Sequence, residues 1–380
     1  MLDLDFALMA KLKLERVQSL MKKKDLDALL VNSYDSVRYL TDFPMLLTMV
    51  YSHRNAALAI RGVDYPILLP ASPDVMVAKK SGFKEVRGLH LAYSDWPPII
   101  KEVLDDHKVT DGRIGIEERM VTGLYLGLTK ELPSAEIVDA TDVVTEAKMV
   151  KNDEELKLID ESTSIAEMAM QTAIIATKTG IGKKEIEVGA EAANTILMAG
   201  ADLSHTLVMS GENAAILYRN STEKRIRSQE MVIFDLGAIY YGYCSDFART
   251  AFSTGRPTEE QKEIYSVVAN AMREITKAIK PGVMVSKVDS VGRDVINEAG
   301  YGDFTYPHLT AHGIGTRVHE KPYITEPGVD HKLEPGMVFS AEPGIFKPGI
   351  AGCRIEETIV VTESGSKTLT KIDYDEILMQ

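Results

Sequence analysis

Over residues 1–25 apolar positions recur at helical spacing and are interrupted by Asp3, Asp5, Glu15 and Lys22 to Lys24. That pattern predicts an amphipathic helix and lacks the uninterrupted apolar core of a signal peptide. Ala28-Leu29-Leu30-Val31 reads as a buried strand, and Asn32-Ser33-Tyr34-Asp35-Ser36 after it as a turn. Further strands are predicted at Ala56–Ile60, Tyr65–Leu69 and Arg113–Glu117, and helices near Pro73–Lys80 and Ile99–Asp106. Strands alternating with helices predict an α/β layer domain, placed at residues 1–145.

Charge density rises across Glu146–Glu155, just where the period changes, so a second domain is placed at residues 146–380. It opens with a long helical pattern to about Thr177 and a helix near Lys183–Ala199. Strands near Thr206–Ser210 and Met231–Phe252, and helices near Glu259–Ile279 and Val285–Ala299, follow. The last 75 residues are strand-like with Gly and Pro turns, which makes this domain α+β. Neither a low-complexity tract nor a repeat of 20–50 residues is evident.

With 380 residues the chain has room for two domains and a core that needs no staple. The net charge of −13 lies mostly in the second domain: residues 1–150 carry 19 basic and 22 acidic side chains, leaving 24 and 34 beyond them. Such a balance argues against nucleic acid or an anionic membrane as partner, because phosphate binding needs a basic face. No apolar stretch has the length of a membrane span. Two cysteines, Cys244 and Cys353, form no metal or redox motif and fit a reducing, cytoplasmic compartment.

Three of the eight histidines, His308, His312 and His319, fall in one window. The glycines after His312 disfavour a helix there, so the four-residue spacing of His308 and His312 is not that of a helical zinc motif, and a metal would need other ligands. Apolar strands supply them. Asp235 ends Met-Val-Ile-Phe-Asp, and Asp246 lies in Tyr-Cys-Ser-Asp-Phe; a reversal centred between Tyr240 and Tyr241 would set these acids directly opposite each other. Glu342 and Glu356 repeat the arrangement around a loop with Pro348, Gly349 and Gly352. Any one of these acids reads most simply as a strand-end carboxylate. Four of them in two similar hairpins with a histidine cluster between suit two divalent cations, which can bridge a hydroxide and polarise a carbonyl.

These residues carry a family resemblance. Asp-Leu-Gly, Ser-Asp-Phe-Ala-Arg-Thr, His-Gly-Ile-Gly, Glu-Pro-Gly and Arg-Ile-Glu-Glu-Thr, in that order, resemble the pita-bread (creatinase/prolidase-like) metallopeptidases, above all the prolidases and Xaa-Pro aminopeptidases. Ala28 to Phe43 is similar to the start of that family's N-terminal domain, and Glu146 to Glu155 to its interdomain entry helix. The resemblance implies an α/β N-terminal domain and an α+β pita-bread domain. It implies hydrolysis of the peptide bond preceding proline in dipeptides or short peptides, with a metal-bridging hydroxide as nucleophile. The cofactor would be two divalent ions, Mn2+ first, with Co2+, Zn2+ or Fe2+ as alternatives. Carried over by residue, Asp235 would bind one metal, His312 and Glu342 the other, and Asp246 and Glu356 both. Glu342 would also act as general base, and His308 and His319 would hold substrate and stabilise the oxyanion. Arg354 would orient active-site carboxylates at the substrate. A homodimer, with Tyr34 to Tyr39 and Asp42 near a partner's site, is implied as well.

Two positions depart from the family pattern. Tyr218 stands where a substrate-binding histidine is expected, and Phe346 replaces a frequent tyrosine. A phenol stays neutral near pH 7, so the site loses an imidazole able to carry charge. The alternatives are a same-fold hydrolase of a non-peptide C–N bond, for which Tyr218 is the best support, and a non-catalytic binding protein, against which the intact five-ligand set speaks.

Overall fold

The apolar runs of the first part of the chain become strands buried on both faces. A computed structural model describes residues 3–43, 54–179, 182–217, 219–305, 311–323 and 330–375. It divides into two compact units, Met1–Lys148 and Met149–Gln380. The first comprises α1 (Phe6–Lys23), β1 (Ala28–Val31), α2 (Tyr34–Thr41), β2 (Ala56–Ile60), β3 (Ile67–Leu69), α3 (Val75–Lys80), α4 (Trp96–Asp106), β4 (Arg113–Ile116), α5 (Thr122–Glu131), β5 (Glu136–Asp139) and α6 (Thr141–Met149). The sheet runs β3-β2-β1-β4-β5, with β1 antiparallel to β2 and parallel to β4. Leu29, Val31, Ala57 and Ala59 pack with α1, α2 and α6, while Leu30, Leu58, Ile60 and Ile114 pack with α4 and α5. Helices on both faces explain why β1 reads as an unbroken apolar run.

One local expectation is corrected here. Asn32–Ser36 is not a turn but the entry to α2, with Ser33 as its N-cap residue. The buried Glu117 carboxylate accepts from the Asn32 and Ser33 amides at 2.6 and 3.1 Å and from the Ser33 and Ser36 hydroxyls. Asn and Ser favour turns and helix starts for the same reason, local bonding to backbone amides, so the pattern alone does not separate the two. Of the stretch expected near a partner's site, Tyr39 is buried and donates to the Ala147 carbonyl, and Asp42 accepts from Lys13 at 2.5 Å.

The second unit opens with α7 (Asp153–Thr179) and α8 (Glu185–Met198), then β6 (Asp202–Ser210), β7 (Met231–Tyr240), β8 (Tyr243–Cys244) and β9 (Phe247–Phe252). The same succession returns with α9 (Glu259–Ala278) and α10 (Val285–Glu298), followed by β10 (Ala311–Gly313), β11 (Glu320–Tyr323), β12 (Val338–Ala341), β13 (Gly344–Lys347), β14 (Ala351–Arg354), β15 (Glu357–Val361) and β16 (Ser366–Thr368). Strand β7 pairs with β6 on one side and with β8 and β9 on the other. The second sheet runs β11-β10-β12-β15-β16, and β13 pairs with β14. Val208, Val232, Phe234 and Phe247 bury against α7 and α8; Phe339, Ile345, Cys353 and Ile359 bury against α9 and α10. Thr258 and Gln261 form a capping box that starts α9, whose Ile264, Val268, Ala271 and Ile275 then face inward at helical spacing. The architecture is therefore α/β in the first unit and α+β in the second. Among the described residues no helix is long and apolar enough to cross a membrane.

Candidate active site

The hairpin that carries the two aspartates turns at Tyr241-Gly242. Both residues have positive φ, 46° and 82°, as a two-residue primed turn requires. Tyr240 consequently pairs with Tyr243, and Asp235 lies opposite Ala248 rather than Asp246. This corrects the expected register by two residues. Because strand faces repeat every two residues, the slip leaves Asp246 on the same face and diagonal to Asp235. Asp246 sits between β8 and β9, its carbonyl accepting from the Ser340 and Thr358 hydroxyls at 3.1 and 3.0 Å.

The glutamates occupy a break between two ladders. Ala341 pairs with Glu357 and Gly344 with Arg354, in one continuous register that sets Glu342 opposite Glu356. Strand β9 holds this break in place: the Glu356 amide donates to the Ala248 carbonyl at 3.0 Å, and the Arg354 amide to the Thr250 hydroxyl at 2.9 Å. Arg249 caps the Glu356 carbonyl at 2.6 Å and pairs with Glu357. His312 enters from β10, opposite Ser340, whose hydroxyl bonds the Glu356 carboxylate.

Asp235, Asp246, His312, Glu342 and Glu356 are thus brought together, each only 1–4% exposed. His312 Nε2 lies 3.6 Å from Asp246 Oδ2 and 3.7 Å from Glu342 Oε1, too far for hydrogen bonds. Two donors about 2.1 Å from one cation at a tetrahedral angle sit roughly 3.4 Å apart, so the spacing suits a shared ion. His312 Nδ1 lies 3.1 Å from the Gly313 carbonyl, which can only accept, so the proton belongs there and Nε2 keeps its lone pair. Both His312 Nε2 and Glu356 Oε2 are buried without a hydrogen-bond partner. Burial, with Glu356 and the two aspartates adding to it, pushes the Glu342 carboxyl well above its ordinary range. Burial and then the aspartates do the same to Glu356. Asp235 goes the other way: burial alone would raise it, but Arg354, and then His205, hold it down at about 2. Burial, then the His319 ring, depresses His312 to about 4. One guanidinium does not balance four buried carboxylates, so the donor set fits divalent cations.

Of the remaining expected residues, Arg354 pairs with Asp235 Oδ2, donates to the Leu217 carbonyl at 3.2 Å and holds Nε 3.7 Å from Glu342 Oε2. Its guanidinium also lies over the buried Phe346 ring, 5.8 Å from the centroid. His319 is exposed, with its ring centroid 4.0 Å from that of His312. His308 and Tyr218 lie outside the described residues.

Sequence reasoning missed His205. Its Nε2 stands 2.9 Å from Asp235 Oδ1 and 3.1 Å from Asp246 Oδ1. The signal was present: His205 shares strand parity with Leu207 and Met209, a lone imidazole on an apolar face. Three overlapping donor groups result, His205/Asp235/Asp246, His312/Glu342/Glu356 and Asp246/His312/His319.

Comparison with known proteins places this arrangement. Metallopeptidase family M24 matches residues 157–363, and the Creatinase/Prolidase N-terminal domain matches residues 13–150. The chain belongs to the creatinase/prolidase family of pita-bread metallopeptidases. Within that family it is similar to the Xaa-Pro dipeptidase of Pyrococcus horikoshii, 31% identical over 367 residues that cover 96% of this chain and 98% of that protein. The solved prolidase from Pyrococcus horikoshii superposes with a TM-score of 0.83 at 30% identity, covering 95% of this chain and 98% of that one. The X-Pro aminopeptidase from Thermotoga maritima gives the same TM-score, identity and coverage. Family and site architecture together support a metallopeptidase.

Proposed function

We propose that this protein hydrolyses the peptide bond preceding proline in dipeptides or short peptides, using two divalent cations held by Asp235, Asp246, His312, Glu342 and Glu356. The observation that carries the reading is the buried five-residue donor cluster, with His312 Nε2 and Glu356 Oε2 left unpartnered, in a chain similar over its length to Xaa-Pro dipeptidases. When bound, the cations supply Lewis acidity for the scissile carbonyl and lower the pKa of a water to near neutrality. Mn2+ is the first choice, with Co2+, Zn2+ and Fe2+ as alternatives.

The side chains divide the remaining work. Glu342 takes the proton of the attacking water and returns it to the prolyl nitrogen, which must leave as a secondary amine. Arg354 fixes Asp235 and reaches toward Glu342, so it orients carboxylates from two strands at once. His319, exposed and against His312, holds the substrate and stabilises the oxyanion; the resemblance gives His308 the same role and puts Tyr218 at the position where related enzymes use a substrate-binding histidine. The protein acts as a homodimer in the cytoplasm, which the resemblance supports.

Assaying Met-Pro, Ala-Pro, Met-Ala and Met-Pro-Gly with protein shown to hold two cations tests the substrate class. Xaa-Pro substrates should turn over at least about tenfold faster than Met-Ala, since a pocket shaped for the prolyl ring discriminates by 1–3 kcal/mol. Absence of turnover of every proline substrate would remove the reading.

A further inference from the structure

The donor set carried over from the family contains one imidazole, His312, yet His205 Nε2 also stands within 3.1 Å of two of its carboxylates. Three features of β6 and β7 aim the second. The register shifts between Leu203, which pairs with Ala238, and His205, which pairs with Gly237, so Ser204 is an extra residue in the strand. Bulges of this kind re-aim a side chain. Gly237 then leaves room for the ring: a Cβ there would lie 2.5 Å from His205 Cε1 and 2.9 Å from its Nδ1, and also 2.5 Å from the Ser245 carbonyl oxygen. Finally, Nδ1 lies 3.1 Å from the Ser204 hydroxyl, which can accept the Nδ1 proton once a cation replaces the Nε2 proton that faces the acids in the metal-free chain.

The contacts of Nε2 are divided between two residues. It meets Oδ1 of Asp235 and Oδ1 of Asp246, while Oδ2 of Asp235 is occupied by Arg354. In the metal-free chain an Nε2–H can donate to both carboxylates, so the shared contact fixes where this nitrogen points, and its spacing from the two oxygens is what suits a common cation. Donors at right angles about 2.1 Å from one cation sit roughly 3.0 Å apart, and the two distances here are 2.9 and 3.1 Å.

We propose that His205 Nε2 is a sixth protein donor of the metal centre, completing the Asp235/Asp246 half as His312 completes the Glu342/Glu356 half. The inference rests on the dinuclear reading above. It gives each cation one imidazole, which moves the preference of the Asp235 half from Mn2+ toward Zn2+ and Co2+.

Metal-free full-length protein, as wild type, His205→Ala and His205→Gly, is titrated with Co2+ and Zn2+ while bound metal is counted and the Co2+ visible spectrum recorded. Wild type should bind two ions per chain. His205→Ala should retain one tightly and bind the other on the order of 100-fold more weakly, at least the loss seen when groups supporting a ligand are removed. Free imidazole should restore the second ion to His205→Gly. Undiminished binding of two ions by His205→Ala, with an unchanged Co2+ spectrum, overturns the role of His205 and leaves the dinuclear reading standing. Fewer than two ions in wild type overturns both. If the variants do not fold, 15N-histidine NMR of the Zn2+-loaded wild type decides: two metal-shifted Nε2 resonances support the assignment, and one contradicts it.

Discussion

Arg354 shows how one side chain serves several acids. Its guanidinium is buried, paired with Asp235, anchored on the Leu217 carbonyl and within 3.7 Å of Glu342. Removing one member of a buried ion pair costs about 3–5 kcal/mol, because the other is left uncompensated. Arg354→Met should therefore lower stability by that order in urea unfolding and reduce kcat/KM at least about 100-fold. Arg354→Lys should recover stability better than activity, since an ammonium is a point charge and cannot span Asp235 and the Leu217 carbonyl as a planar fork does. Equal recovery of both would contradict the orienting role. At this scale the sequence was informative about residue type and weak about direction. The carboxylates and His312 stood out as polar residues in apolar strands; His205 carried the weaker signal of a lone imidazole among apolar positions, and no residue type marks the bulge that aims it at the acids.

Among the elements, α8 bears on the site through its first residue. The fully buried Glu185 carboxylate accepts from the Ser210 amide and hydroxyl, the Asn213 amide group, and the Thr222 amide and hydroxyl, at 2.6–3.1 Å. It thus ties down both ends of the segment whose Leu217 carbonyl anchors Arg354. Glu185→Ala leaves five donors to find new acceptors and should cost about 3 kcal/mol or more. It should also raise KM more than it lowers kcat, because the segment lies beside Arg354 and its described residues contribute no donor to the cluster. A variant with unchanged KM would contradict this coupling. Long amphipathic helices such as α9 were legible because 3.6-residue spacing and a capping box agree. Registers were not: a turn displaced by one residue moves cross-strand partners by two, and the positive φ of Tyr241 is unusual for that residue type. The succession of two helices and then strands, repeated from α7 and from α9, is likewise hidden, because each half preserves burial and not sequence.

For the molecule as a whole, the acidic surplus of the second unit divides into surface charge and a buried part. Four of its acids belong to the cluster, so two divalent ions would bring the formal charge from −13 to about −9. Those same acids repel one another from buried positions, which makes metal a stabiliser of the folded chain. At a free ion concentration about 100 times the dissociation constant, binding contributes roughly 2.7 kcal/mol. Chelation should lower Tm by several degrees and Mn2+, Co2+ or Zn2+ should restore it, whereas Mg2+, which dehydrates reluctantly and avoids imidazole, should restore little. A Tm indifferent to chelation would count against a site held by resident ions. The most direct test of the central claim is a stoichiometric titration of metal-free protein with Mn2+ or Co2+, following cleavage of Met-Pro and of Met-Pro-Gly together with bound metal. The account predicts negligible cleavage at the start, a plateau reached only at two ions per chain, and no such rise in the doubly substituted Asp246→Asn, Glu356→Gln protein. Full activity in the metal-free protein, or two bound ions with no cleavage of either Met-Pro or Met-Pro-Gly, would contradict it.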